Sequence, residues 1–338
     1  MKLINRRWSG GLGLFLAVLA GGVLLTQGIG HGQVQVTIQG FQQGTSLHTR
    51  AETIGELIRK FVGYGVTVKT GVGMSSAIDS TTGKIDMFIS LRPYNLTVEM
   101  LQKDVPAIAK KYKETIIIPT EEKSYHLMVL DEVKVSSFSE MVTKKYPIKI
   151  GLGGAGSAVF AEKIFNVYGI SSRDIESWGG KVDATSTPIS IVNNMKDGIL
   201  NAHFVYGGGG SAYLQELAAT RKSKLLPVAD TDSELKAVQK QFPEVYRSFL
   251  TPKDYAFLKQ DLATIAFSEF LMARPDLPEE VVYNITKAIW TNVSYLLTLC
   301  PGMKDILEPQ RAMRVLSIRR DDIHPGAVKY YKERTWLK

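Results

Sequence analysis

Four closely spaced glycines, between an apolar run and a helical one, constrain this chain more than any other feature. They lie in Lys149-Ile150-Gly151-Leu152-Gly153-Gly154-Ala155-Gly156-Ser157. Residues 146–150 read as a strand. Residues 158–168 place Phe160, Ile164, Phe165 and Tyr168 on one buried helical face, and Gly169 ends the helix. The glycine turn is therefore a helix start. Its free N–H groups, backed by the positive end of the helix dipole, favour a carboxylate or phosphate, and glycine lets such a group approach the backbone. Gly151-x-Gly153-x-x-Gly156 also fits the dinucleotide fingerprint, with Asp174 or Glu176 near the place of the ribose-binding acid. A third reading is a tight strand-to-helix turn that needs glycine only for packing. On the motif alone all three stay open.

The same strand–glycine–helix logic recurs. Residues 34–38 alternate as a strand into Gly40-Phe41-Gln42-Gln43-Gly44-Thr45-Ser46, and residues 45–62 predict a helix with Ile54, Leu57, Ile58 and Phe61 on one face. A strand at 65–69 leads to Thr70-Gly71-Val72-Gly73-Met74-Ser75-Ser76 and a third helix, which Ser75 or Ser76 caps or opens to ligand. A strand at 84–91 delivers Ser90 and Arg92 at its C-terminal end, the end where open α/β sheets bind ligands. Short strands are expected at 116–119 and 125–130, with a hinge near 122–130, and a helix at 137–145. Further on, a helix at 187–198 and a strand at 199–206 run into Gly207-Gly208-Gly209-Gly210-Ser211, either a flexible surface loop or backbone held close to ligand. A strand at 225–228, a mostly helical stretch at 230–259, a strand at 262–272 and a helix of about 20 residues from Pro278 complete the pattern.

Residues 1–7 carry Lys2, Arg6 and Arg7 with no acid, and residues 12–25 are almost unbroken apolar, the layout of an export signal. Cleavage is expected between Thr26 and Gln33, with an uncleaved N-terminal anchor as the other reading and ordinary Sec export favoured over a twin-arginine route. Residues 1–30 hold three basic and no acidic side chains, which leaves 38 Lys and Arg against 33 Asp and Glu, a formal charge of +5. These charges are scattered, so no nucleic-acid stripe is expected. About 305 residues exceed one comfortable core, so two lobes are expected. Cys300 is expected to be buried and inert, since a single cysteine forms no internal disulfide. The histidines at 31, 48, 126, 203 and 324 have no metal-site spacing, so neither metal nor cofactor is expected. No acid–base or nucleophile set stands out: Ser157 has no identified histidine partner, and Asp183 and Asp197 read as ordinary surface acids.

Two further stretches carry a family likeness. The tail Ile323-His324-Pro325-Gly326-Ala327-Val328-Lys329-Tyr330-Tyr331-Lys332-Glu333 is similar to the closing His-Pro-Gly-Ala…Tyr-Tyr signature of the TAXI family of TRAP-transporter solute-binding proteins. Residues 273–288, Ala-Arg-Pro-Asp-Leu-Pro-Glu-Glu-Val-Val-Tyr-Asn-Ile-Thr-Lys-Ala, resemble a second stretch of that family, and Thr70-Gly71, Gly83-Lys84-Ile85-Asp86 and the glycine cradle add to it. The resemblance covers nearly all of the mature chain. It implies a two-lobed α/β periplasmic-binding-protein fold of type II, with lobe one at 31–125 and 263–338, lobe two at 126–262, and hinge strands near 122–130 and 260–272. It also implies an exported, periplasmic receptor that is not an enzyme. Such a receptor closes on a small organic anion, a dicarboxylate or acidic amino acid, and delivers it to a membrane TRAP-type permease. A module docking its closed form on a sensor kinase is the alternative, and a dinucleotide-binding enzyme a less favoured one.

Three contact loops depart from the family pattern. The Tyr-Tyr-Pro element after the first strand is missing, the cradle reads Gly154-Ala155-Gly156-Ser157 where the family has Gly-Ser-Gly-Thr, and a proline is replaced within residues 207–210. The clamp implied by the resemblance draws on Gln42, Gln43, Gly44, Thr45, Ser46 and His48, then Gly73, Met74 and Ser75, then Ser90 and Arg92, from lobe one. From lobe two it draws on Gly154, Ala155, Gly156, Ser157, Tyr206, Gly208, Gly209, Gly210 and Tyr213. His48, Arg50 and Arg92 are the cations for charge-assisted pairing, with Arg50 expected to serve lobe packing instead.

Overall fold

A computed structural model describes residues 33–72, 74–90, 92–208, 210–304 and 306–337. The export signal expected over residues 1–30, and the site residues Gly73 and Gly209, lie outside the described residues. The chain runs β1 (Gln35–Gln39), α1 (Ser46–Phe61), β2 (Gly65–Lys69), α2 (Ser75–Thr81), β3 (Met87–Ile89), α3 (Tyr94–Asp104), α4 (Pro106–Ala109) and the long β4 (Thr115–Leu130). It continues with α5 (Phe138–Thr143), β5 (Lys149–Gly151), α6 (Ala155–Val167), α7 (Ser172–Ser177), β6 (Lys181–Asp183), α8 (Pro188–Lys196), β7 (Ala202–Gly207) and α9 (Ala212–Thr220). Last come β8 (Ser223–Leu226), α10 (Asp232–Gln239), β9 (Tyr246–Leu250), β10 (Leu262–Ala273), α11 (Glu279–Thr291), α12 (Val293–Leu299), α13 (Pro309–Leu316) and α14 (Pro325–Glu333). None of the described helices is long and apolar enough to cross a membrane.

The strands make one mixed sheet in the order β2-β1-β3-β10-β4-β7-β5-β6, with β8 added on β4 and β9 on β10. β1 pairs in parallel with β2 and β3, and β5 in parallel with β6 and β7, while β4 and β10 run antiparallel to each other between these two groups. A strand alternating with a helix forces such parallel pairing, and the ligand-facing turns then fall at the strands' C-terminal ends.

The two most extensive apolar clusters divide this one sheet between them. Ile116, Ile117 and Ile118 of β4 and the end of β10 pack with Ile38, Ile54, Leu57 and Ile285 in the first core. Tyr125, Leu127 and Val129 of the same β4, with Ile265 and Phe267 of β10, pack with Ile150, Phe165 and Phe204 in the second. Between them the two strands carry polar residues: Glu122 and Glu121 stand opposite Ser268 and Glu269, and Ser124 and Lys123 opposite Ala266 and Phe267. α3 belongs by chain order beside β3, yet its Leu96 is buried in the second core, with Met100 packed at its edge. Glu99 on α3 pairs with Lys163 on α6 at 2.7 Å, and Tyr94 N–H donates to Glu244.

Four local expectations are corrected. Residues 116–119 and 125–130 are not two strands; β4 is continuous because β10 pairs with it along its length, and Pro119 sits where that register slips, so its missing donor costs no ladder bond. Residues 230–259 are not mostly helical. Pro243 and Pro252 bracket β9, whose Ser248 and Leu250 are buried on either side of exposed Phe249. The long helix from Pro278 breaks at Asn292, which leaves helical geometry with its side-chain amide bonded to Ala288 O. Helix α3 falls where no element was expected.

Candidate functional site

The ends of β1, β3 and β5 meet over one cavity of about 300 Å³. After β1 the chain passes Gly40, where a Cβ would fall 2.8 Å from the His48 backbone, so the turn lies flat on α1 and presents Phe41 to the cavity. After β3 comes Arg92. After β5 come Gly153 and Gly154, at φ of +78° and +93°, a conformation that nearly excludes other residues, and they aim the start of α6 at the same space. Gly156 and Ser157 line it from the first turn of α6, while Leu96, Tyr125, Phe160 and Tyr206 complete the wall. The aromatic rings form a ladder: Tyr125 stacks on Phe160 at 3.9 Å and on Tyr206 at 5.0 Å.

Arg92 is the chemical centre of this arrangement. Its Nη1 donates to Met74 Sδ at 2.8 Å, a weak acceptor, and among the described residues no carboxylate lies in ion-pair range of it. Burial lowers its proton affinity, yet a guanidinium stays charged, so a positive group stands here uncompensated. The phenols of Tyr125 and Tyr206 are held neutral, because burial pushes both well above the usual tyrosine range. A Cβ on Gly156 would stand 3.7 Å from Arg92 Nη2, so the guanidinium faces the bare backbone of the α6 N-terminus. Cation, the N-terminal turn of α6 and Ser157 thus line one cavity, a set suited to an oxyanion.

The cavity gathers Arg92, Gly154, Gly156, Ser157 and Tyr206 from the expected set, with the backbone of Ala155 in the same turn. Met74 touches Arg92, and Ser90 lines a small adjoining void of about 30 Å³ while its hydroxyl accepts from Phe270 N–H. The remaining residues lie elsewhere. Gln42, Gln43, Gly44 and Ser46 are exposed at the start of α1, where Thr45 caps the helix by accepting from His48 N–H. His48 faces Glu52 at 3.6 Å. Ser75 accepts from Val72 N–H. Gly208 lines a second cavity, with Glu122, Ser124 and Arg311, and Gly210 packs on the Asp254 backbone. Tyr213 packs against a third apolar cluster, 6.4 Å from the His203 ring. Arg50 is buried between Glu269, at 2.7 Å, and Glu121. Asp174 is spent on capping α7, bonded to the Ser171 backbone and hydroxyl. Phe41, Leu96, Tyr125 and Phe160 were not expected at the site: an apolar residue facing a cleft has the same sequence pattern as one facing a core.

Two histidines lie beneath the cradle. His203 shares a hydrogen bond with Gly151 O at 3.1 Å, and His126 one with Tyr255 at 3.1 Å. Burial holds both neutral, pulling His126 down to about 3 and His203 to about 4 from an ordinary 6.5. Their contribution to stability is therefore complete above pH 6.5 and is lost as the pH falls towards 4 and 3, because the unfolded chain takes up protons that the folded one refuses. Urea unfolding between pH 7 and 5 is expected to lose up to about 1.4 kcal/mol per pH unit per histidine. A double variant, His126→Gln with His203→Asn, is expected to flatten that slope, and an unchanged slope would contradict the assignment.

Among the described residues no group of three or more His, Cys, Asp or Glu is placed to hold a metal ion. Solved structures with a similar fold include a TctC solute-binding protein from Polaromonas, 16% identical over 90% of this chain and 98% of that one, with a TM-score of 0.51. PhnD1 from Prochlorococcus marinus, in complex with methylphosphonate, is 10% identical over 85% and 97% of the two chains, with a TM-score of 0.49. A TRAP periplasmic solute-binding protein from Rhodobacter sphaeroides is 10% identical over 89% and 93%, at 0.43. At such identities the likeness concerns the fold alone. The model of the NMT1-like family, in contrast, matches residues 103–334, from the end of α3 through α14. The chain belongs to the NMT1-like family.

Proposed function

We propose that the protein is an exported solute receptor of the TAXI type, which takes a small organic anion into the cavity between its lobes and delivers it to a TRAP-type membrane permease. The observation that carries this reading is Arg92: a half-buried guanidinium with no carboxylate partner among the described residues, set against the glycine turn of α6. A folded protein keeps a desolvated charge unpaired only at some cost in stability, and a ligand anion offsets that cost. Phe41 and Arg92 come from the lobe around the first core and the cradle from the lobe around the second, so an anion touching both favours the closed form. The polar band at the middle of β4 and β10 is where we place the hinge. The tail and the 273–288 stretch support the TAXI assignment, and the basic, apolar N-terminal residues support export.

A thermal-shift screen of the protein against small carboxylates, amino acids and nicotinamide cofactors tests the proposal, since a ligand selective for the folded state raises the melting temperature. A shift with one or a few carboxylates is expected. A shift with the cofactors alone would overturn the reading. Gly156→Val gives a second test, because among the described residues the neighbour its new Cβ meets outside its own helix is Arg92 Nη2, at 3.7 Å. The ligand-free variant is expected to melt within about 3 °C of the parent, while affinity falls by about tenfold or more as side-chain bulk fills the oxyanion position. Undiminished affinity in the folded variant would reject this site.

A further inference from the structure

We infer that the ligand is an aromatic monocarboxylate rather than a dicarboxylate; the inference rests on the receptor reading and deepens it. The wall of the cavity holds one cation and one glycine turn, both at the same point, and otherwise Phe41, Leu96, Tyr125, Phe160 and Tyr206. One end therefore receives an anion and the body of the site receives an apolar, flat group, which stacks on or packs edge-on against rings. Among the described residues a second carboxylate finds no free cation there. Lys123, the next basic residue on the same face of β4 as Tyr125, is bonded to Glu121 at 2.8 Å, and Arg50 is held by Glu121 and Glu269. Of the two phenols on the aromatic side, that of Tyr206 already donates to Glu269 Oε1 at 3.3 Å, and that of Tyr125 is neutral and supplies no charge to pair with a second carboxylate. Beyond the ring ladder lies an acid, so a diacid's far end meets either aromatic carbon or a like charge. Burying a carboxylate without a partner is disfavoured more strongly than burying a ring. The volume of about 300 Å³ lies at the small end of ligand pockets, which suits a single ring with its acid group.

Calorimetric titration of the protein with benzoate, phenylacetate, succinate, glutarate and butyrate tests this. At least one of the two ring acids is expected to bind roughly tenfold or more tightly than either diacid. Phe41→Ala, at a half-buried turn outside the core interior, is expected to weaken the ring acid about fivefold and to leave butyrate within about twofold. A diacid that binds more tightly than both ring acids, through Arg92, overturns the inference and leaves the receptor reading standing. Equal losses for ring acid and butyrate in Phe41→Ala likewise overturn it. No binding by any of the five acids overturns the inference and counts against the carboxylate receptor itself.

Discussion

Arg92→Met is expected to lower anion affinity by about 30-fold or more, since loss of one partner of a desolvated, hydrogen-bonded charge pair costs about 2–5 kcal/mol. Methionine keeps the length and apolar stem of the side chain, so the walls of the cavity should stay in place. The ligand-free variant is expected to melt no lower than the parent, because the guanidinium is desolvated and its partner among the described residues is a thioether. Loss of binding with unchanged or raised stability separates a ligand contact from a structural arginine, whose removal would lower both. Arg92→Lys is expected to fall between, since an ammonium keeps the charge but not the planar fork. Calorimetry of the three proteins with one carboxylate, together with thermal unfolding of each, makes the comparison.

Arg50 should behave in the opposite way. It is 1% exposed and sits between two carboxylates, Glu269 and Glu121, with Lys123 as the second cation of the group. Arg50→Met would leave Glu269, also 1% exposed, without its cation, and such uncompensated burial is expected to destabilise the fold by about 3–5 kcal/mol. Urea unfolding measures this, and pairing the change with Glu269→Gln should recover part of the loss. Because Glu269 also holds the Tyr206 hydroxyl, a modest loss of affinity should accompany the loss of stability. A loss under about 1 kcal/mol in Arg50→Met would show that water enters this group and that the ion pairs are surface-like.

These two arginines show what the sequence makes legible. Arg92 follows a strand that any β–α reading puts at the ligand end of a parallel sheet, so its role needs only local pattern. The buried state of Arg50 needs Glu269, 219 residues away, which no local pattern reports. The cradle was legible because Gly153 and Gly154 adopt backbone angles that leave a compositional mark. The polar turn at 42–46 carries similar marks, yet there the Thr45 hydroxyl caps α1, and it is the neighbouring Phe41 that reaches the cavity. The glycine run after β7 also looked like a ligand loop, but its Gly208 opens on a different cavity, beside Glu122 and Arg311. The aromatic wall is not legible in the sequence because hydrophobic periodicity records burial without saying what does the burying. Nor is β9, because its flanking prolines read as helix interruptions.

The most direct test of the central claim, that an anion is held between Arg92 and the α6 turn, is a crystal structure with the carboxylate that gives the largest thermal shift. Its acid group is expected within hydrogen-bond distance of the Arg92 guanidinium and of the backbone N–H groups at 154–157, with its body against Phe41, Phe160 and Tyr206. Density for the ligand in the cavity beside Glu122 and Arg311, with Arg92 still facing bare glycine backbone, would contradict the account.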